Sequence, residues 1–275
     1  MALKVYCDRM SQPSRAVLLF CKINGIEFEE IRIDVINNKH LTPEYKAINP
    51  MCQLPAIVNG GFKLFESHAI LIYLSCAFPE IASHWYPTDI SKRSKIHSIL
   101  DWHHTNLRRG TVGLIFNTIV GPLKGLPPNH EAAKDGEKLL VKSLSMLENF
   151  WLEDGRFLVG SSQPSIADIS LVCEIMQLEL LSKKDHDRIL SPYKKVVQWI
   201  EDIKGEITPH FDEVHEWAYW ATILAISGGR WRLCIRLYDE LERCVVGLLS
   251  SGDSCMCIEL GDGLVSSRLE SGLKN

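Results

Sequence analysis

Apolar and polar positions along the first eighty residues switch between the period of a strand and that of a helix. Residues 3–6 (Leu-Lys-Val-Tyr) read as a short strand, and residues 15–22 carry an apolar face at helical spacing. Residues 28–33 are rich in β-branched and aromatic side chains, and a short helix is expected near residues 42–47. Residues 56–58 and 62–65 flank Asn59-Gly60-Gly61, the residue types that a tight hairpin turn requires. A helix then opens at Ser67, with Ala69, Ile70, Ile72, Tyr73 and Leu74. The order βαβ-α-ββα joins a parallel crossover to an antiparallel hairpin. It predicts one small sheet with helices packed on it over residues 1–81.

Residues 78–89 break the pattern, with Phe-Pro-Glu and His-Trp-Tyr-Pro reading as a connecting segment. Beyond them the strand signal fades, and residues 90–216 are expected to form an all-helical domain. Leu140, Leu144, Leu147 and Trp151 repeat along one helical face. Ser165-Ile-Ala-Asp168 has the form of a capping box, followed by a buried stripe of Ile169, Val172, Ile175, Met176 and Leu180. Ser165 and Asp168 therefore read as a folding element and not as a catalytic pair. Residues 217–275 differ in composition: four of the nine Cys and three of the seven Trp fall there. Helical periodicity persists only over residues 231–246, so this tail is expected to be partly helical or disordered.

Composition narrows the function. The chain has 275 residues, 46% of them hydrophobic and 23% charged, as in a soluble globular protein. A net charge of −4 and the lack of a basic stripe argue against nucleic-acid binding. No apolar run reaches the ~18 residues of a membrane span. The N-terminus lacks the pattern of a secretory signal, and the final Leu273-Lys-Asn275 does not match a peroxisomal tripeptide, so a cytosolic location is expected. The cysteines form no paired framework and no Cys-x-x-Cys, which suits reduced thiols and gives no argument for a metal site.

Three stretches carry candidate chemistry. In the first, Pro13 sits where a helix opens, which suggests Gln12 as the N-cap and leaves the Ser11 hydroxyl free near the positive end of the helix dipole. Such a group can hold an anion, although strand-to-helix turns also carry Ser and Pro for conformational reasons. In the second, Asn49-Pro-Met-Cys-Gln-Leu-Pro55-Ala, Pro55 stands at the start of a strand. A cis Leu54–Pro55 bond would turn the Leu54 backbone toward a peptide-like ligand, but spacing alone does not select cis. In the third, Glu66-Ser67 opens a helix. Ser67 as N-cap could hold a carboxylate and Glu66 an ammonium, or the pair could serve capping alone. His103 and His104 are expected to face a cleft, where ordinary polar or packing roles are favoured over acid–base chemistry. Asp101, Asn106, Arg108 and Arg109 suggest ion pairs along the helix face, and Asp101 or Arg109 could reach a ligand.

Ser-Gln-Pro-Ser-Arg at 11–15, Asn-Pro-x-x-x-Leu-Pro-Ala at 49–56 and Glu-Ser-x-Ala-Ile at 66–70 together resemble theta-class glutathione S-transferases of the plant type. His-Trp-Tyr-Pro at 84–87, Trp-His-His-Thr-Asn-Leu-Arg-Arg at 102–109 and the Ser165–Asp168 box extend the resemblance over residues 1–216. It implies a thioredoxin-like N-terminal domain, an all-helical C-terminal domain and a homodimer. It also implies that Ser11 hydrogen-bonds the glutathione sulfur, with Gln12 beside it. His40 and Leu41 would lie along the glycyl end, Gln53 and Leu54 before a cis-Pro55 at the cysteinyl backbone, and Glu66 and Ser67 at the γ-glutamyl end. Many relatives carry Lys where this chain has Gln53, which would weaken the hold on the glycyl carboxylate.

The implied reaction uses glutathione as co-substrate, with no cofactor and no metal. A free thiol of pKa ~8.5 is only a few per cent thiolate at neutral pH. A shift of ~2 units makes it mostly thiolate and corresponds to ~2.7 kcal/mol. The thiolate then attacks hydrophobic electrophiles or organic hydroperoxides in detoxification. Ser at position 11, where a thiol-transferase branch has Cys, argues against mixed-disulfide chemistry; Cys7 reads as a small buried residue. The alternative is a non-catalytic glutathione-binding or interaction protein, because the segment after Glu216 departs from the charged helix of relatives.

Overall fold

The computed structural model describes residues 2–216. Strand β1 (Leu3–Cys7) buries every second residue, Leu3, Val5 and Cys7, as a strand with one covered face does. It pairs in parallel with β2 (Phe28–Arg32) and antiparallel with β3 (Ala56–Asn59), which pairs antiparallel with β4 (Phe62–Phe65). The order is β2-β1-β3-β4. The β3–β4 turn works because Gly60 and Gly61 take φ of +55° and +96°, values that side chains oppose. The β2 edge carries Glu29 and Glu30, paired with Lys4 and Arg9, and charged edges discourage strand addition.

Helix α1 (Gln12–Ile23) buries Ala16 to Cys21 between the sheet and the helical half; α2 (Pro43–Lys46) and α3 (Ser67–Ala77) complete the thioredoxin-like unit. The helical half begins with α4 (Ile90–Thr105), capped by Asp89, and α5 (Leu107–Ile115). From α5 the chain runs through a π-helical stretch, Phe116–Val120, into α6 (Gly121–Leu123). Helices α7 (His130–Met146), α8 (Ile166–Ile175), α9 (Lys183–Leu190) and α10 (Lys194–Ile207) follow, and residues 210–216 are helical. Helices α5 and α7 approach backbone to backbone: a Cβ on Gly110 would lie 2.5 Å from the Leu140 nitrogen, and one on Gly136 2.5 Å from the Leu114 nitrogen.

The helix α8 is buried on every side, not along a stripe. It sits between α1 and the rest of the helical half, so a sequence whose polar residues look outward-facing carries its Asp168, Ser170 and Glu174 inside. Asp168 accepts from the Leu158 N–H (2.9 Å), the Ser165 N–H (2.7 Å), the Ser165 hydroxyl (2.8 Å) and Trp199 Nε1 (2.9 Å). The Ser165–Asp168 box is thus a junction of α8, α10 and the preceding loop. Trp151, at the end of the Leu140 face, is only partly buried. The expected tail and its 231–246 periodicity lie outside the described residues.

Candidate functional site

The loop from β1 to α1 is fixed at several points before any ligand arrives. The buried Asp8 carboxylate accepts from the Met10 and Val35 N–H groups, both at 2.9 Å. The fully buried Arg15 donates to the Arg9 carbonyl (2.8 Å) and across the core to the Cys173 carbonyl (2.9 Å) and Gln177 Oε1 (3.0 Å). The second segment is held as firmly. Tyr45 Oη and Asn49 Nδ2 both donate to the Gln53 carbonyl, at 2.6 and 2.8 Å, just before a cis Leu54–Pro55 bond.

These segments wall a cavity of about 560 Å³ together with α3, α4 and α5. Ser11, Gln12, His40, Gln53, Leu54, Pro55, Glu66 and Ser67 all line it. Leu41 does not; it is 58% exposed. Ser165 and Asp168 stand away from it. An apolar wall of Val112, Ile115, Phe116 and Val120 faces the polar one, and part of it is the π-helical stretch, a distortion often found at functional sites.

Both helix starts differ from the sequence expectation by one residue. The N-cap of α1 is Ser11, not Gln12, and its hydroxyl oxygen accepts from the Ser14 N–H at 3.4 Å. Proline is as well tolerated one residue further into the first turn, where no intrahelical donor is needed, so Pro13 does not fix the boundary. The hydroxyl is therefore not idle. Its oxygen is used and its proton remains to donate. Pro13 has no N–H and Ser14 spends its own on the cap, so among the first-turn donors the Gln12 N–H is left without an acceptor among the described residues.

The N-cap of α3 is Glu66, not Ser67, at φ +69° and with no side-chain cap. A non-glycine residue held in that region at a cavity wall is a mark of a functional position. Ser67 becomes the first helical residue. Its N–H and those of His68 and Ala69 have no acceptor among the described residues. The α3 terminus thus offers an anion three open donors, where α1 offers one donor and a hydroxyl.

Several cavity residues carry no signal in the sequence. Lys124, just past α6, donates to the Val35 carbonyl (3.3 Å) and Asn38 Oδ1 (3.1 Å), which brings its ammonium beside His40. Burial and that ammonium hold His40 below the ordinary histidine value, and its Nδ1 is buried without a partner among the described residues. Arg108 reaches the cavity, whereas Arg109 and Asp101 are exposed and outside its lining. Arg108 pairs with the fully buried Glu174 of α8 at 2.8 Å and not with a neighbour on its own helix, because spacing reports only same-helix partners. Burial drives the Glu174 carboxyl up, but Arg108 and His103 outweigh it and hold it below the usual carboxylate range. His103 and His104 do face the cleft, and His68 of α3 packs on both. Burial, then His103 and His104, push His68 down to about 2. This cluster was not visible as a metal-ligand motif, since its members come from two distant stretches. Cys7 is buried and its thiol is pushed up by burial, as a structural cysteine's is. No helix among the described residues is long and apolar enough to cross a membrane.

Comparison with known proteins agrees with this architecture. Residues 1–75 match the family model described as Glutathione S-transferase, N-terminal domain. The chain is 63% identical to Glutathione S-transferase T1 of Arabidopsis thaliana over 217 residues, covering 78% of this chain and 89% of that protein. It is 61% identical to Glutathione S-transferase T3 of the same plant, but spans only 37% of that longer protein. A crystal structure of human glutathione transferase theta-2 in complex with glutathione and an unknown ligand superposes with a TM-score of 0.75 at 29% identity, covering 85% of this chain and 97% of that one. With a thioredoxin-like domain followed by helices and a relative this similar along most of its length, the chain belongs to the theta-class glutathione S-transferases.

Proposed function

We propose that this protein binds reduced glutathione across the cavity and transfers its thiolate to hydrophobic electrophiles, with a peroxidase activity toward organic hydroperoxides. The observation that carries the reading is the Ser11 hydroxyl, whose oxygen accepts the Ser14 N–H and whose proton is left to point at a ligand. A sulfur placed there receives a hydrogen bond that favours its anion, and the positive end of α1 favours it further.

The contrast between the two helix termini supports an orientation. The γ-glutamyl carboxylate belongs at α3, where the Ser67, His68 and Ala69 N–H groups are open, with Glu66 beside it for the ammonium. The thiolate belongs at α1. Gln53 and Leu54 stand at the cysteinyl backbone. His40 and Lys124 stand at the glycyl end, where Lys124 supplies from the helical half the cation that Gln53 lacks. The wall from Val112 to Val120 receives the apolar electrophile. In the conjugation step the sulfur–carbon bond forms as the leaving group departs with its electron pair. In the peroxidase step the thiolate takes the terminal peroxide oxygen, the alcohol leaves, and a second glutathione yields the disulfide and water.

Glutathione is a co-substrate in this scheme, and the family likeness supports a homodimer acting in detoxification in the cytosol. The test is steady-state turnover of the full chain with an alkyl halide and with cumene hydroperoxide, alongside retention on immobilised glutathione. Turnover with both supports the proposal. Retention without turnover selects the alternative, a non-catalytic glutathione-binding protein, which the composition after Glu216 favours.

A further inference from the structure

We propose that His68, His103 and His104 form a three-imidazole site for a divalent transition-metal cation of the Zn2+ type on the wall of the cavity. Each ring offers one nitrogen, and the three nitrogens lie within 4.8 Å of one another. One pair, His103 Nδ1 and His68 Nε2, is 3.3 Å apart. Zinc–imidazole bonds of ~2.0–2.1 Å at a tetrahedral angle place two ligand nitrogens about 3.4 Å apart, so this pair already has the required span. His104 is exposed, and ligation would require a change of its side-chain rotamer to bring the ring to the third position.

The surroundings of His103 supply the second observation. Its Nε2 is buried 3.4 Å from the Glu174 carboxylate without a well-formed hydrogen bond. Ligation through Nδ1 would fix the tautomer and put a proton on Nε2, aimed at Glu174. A carboxylate behind a ligating imidazole is the usual outer support of a metal site. Glu174 is itself fully buried and anchored by Arg108 at 2.8 Å. The ligands stand on two helices, His68 in the first turn of α3 and His103-His104 in the last turn of α4, so the frame is rigid. Imidazole ligands suit Zn, Cu and Ni and not Mg or Ca. Three protein ligands leave a fourth position, and His103 and His104 line the cavity, so that position is reachable by water or a small ligand.

The inference needs only the three imidazoles and stands whether or not the transferase reading holds. It is tested on the full chain without glutathione, with Co2+ as a spectroscopic probe and Zn2+ in calorimetry. The expected result is one equivalent of tetrahedral cobalt with nitrogen ligands and no thiolate charge-transfer band. That equivalent should be lost, or bound at least about tenfold more weakly, in His104→Ala and in His68→Asn. His104 is exposed, so its variant keeps the fold and decides alone if His68→Asn does not. Equal binding by wild type and His104→Ala overturns the inference. So does cobalt held only through thiolates, for which Cys255-Met-Cys257 is available, and so does an absence of binding.

Discussion

Replacing Ser11 by Ala removes two interactions, and their sizes differ enough to be separated. The cap bond to the Ser14 N–H is long, at 3.4 Å, so its loss belongs at the low end of the capping range, about 0.5 kcal/mol of stability. The bond to a thiolate is charge-assisted and worth about 1.5–3 kcal/mol, which corresponds to between one and two pKa units on the sulfur. At the two-unit upper limit, with a bound-thiol pKa near 6.5 in the wild type and 8.5 in the variant, the thiolate fraction at pH 7 falls about 25-fold. The deficit rises toward about 10²-fold at pH 5.5 and nearly vanishes above pH 9. The stabilised thiolate is also a weaker nucleophile, which returns part of the factor, so the midpoint of the profile is the sharper readout. The assay is kcat/KM for an alkyl halide from pH 5.5 to 9, with a urea melt in parallel. The account expects the midpoint to rise by one to two units while stability barely changes, and Ser11→Thr to restore both. A deficit that is constant across pH would refute the ionisation argument, even if the rate fell.

Other consequences follow from the same geometry. Lys124→Ala should raise the glutathione KM about fivefold with kcat little changed, the effect of about 1 kcal/mol from a partly exposed charge; an unchanged KM would remove Lys124 from the glycyl end. Asp168→Ala strands four buried donors at one junction, so chemical denaturation should register a loss of at least about 3 kcal/mol, and a loss under about 1 kcal/mol would contradict the assigned bonds. His215 is buried, and burial together with Arg15 lowers it to about 3. The unfolded chain therefore binds the extra proton between about pH 6.5 and 3, and the stability this ring contributes is full above that window and lost as pH falls through it. From pH 6 to 5 the wild type should lose about 1 kcal/mol more than His215→Asn; parallel losses in urea melts would show that the ring titrates normally.

The strands, the Asn59-Gly60-Gly61 turn and the Ser165–Asp168 box were legible because each is set by neighbours in sequence: alternation, two positive φ angles, a side chain reaching three residues back. The starts of α1 and α3 were legible only to within one residue. Proline is tolerated at either of two first-turn positions, and the positive φ of Glu66 has no local signature. What stayed hidden depends on tertiary approach. Glu174 looks like one more polar residue of an amphipathic helix until α8 is seen enclosed, and only then does Arg108 acquire its partner. Lys124 sits far in sequence from the loop it contacts, and His68 from His103, so no spacing rule could have joined them.

The cavity also gives a reason for two domains. The thioredoxin-like unit supplies most of the polar half through three loop-to-element junctions, and the helical half supplies the apolar wall and the Lys124 and Arg108 cations. Arg15 ties the two, running from the Ser11 loop to the carbonyl of Cys173 and the amide of Gln177. Its truncation would leave carbonyls on both sides of the core without their donor.

The central claim is that this protein holds the sulfur of bound glutathione as an anion at neutral pH, with Ser11 as the donor. A pH titration of the thiolate absorbance of bound glutathione, by ultraviolet difference spectroscopy on the full chain, reads that directly. The predicted midpoint is near about 6.5 for the wild type, and it rises by about one to two units in Ser11→Ala. A wild-type midpoint at the free-thiol value, with glutathione demonstrably bound, would contradict it.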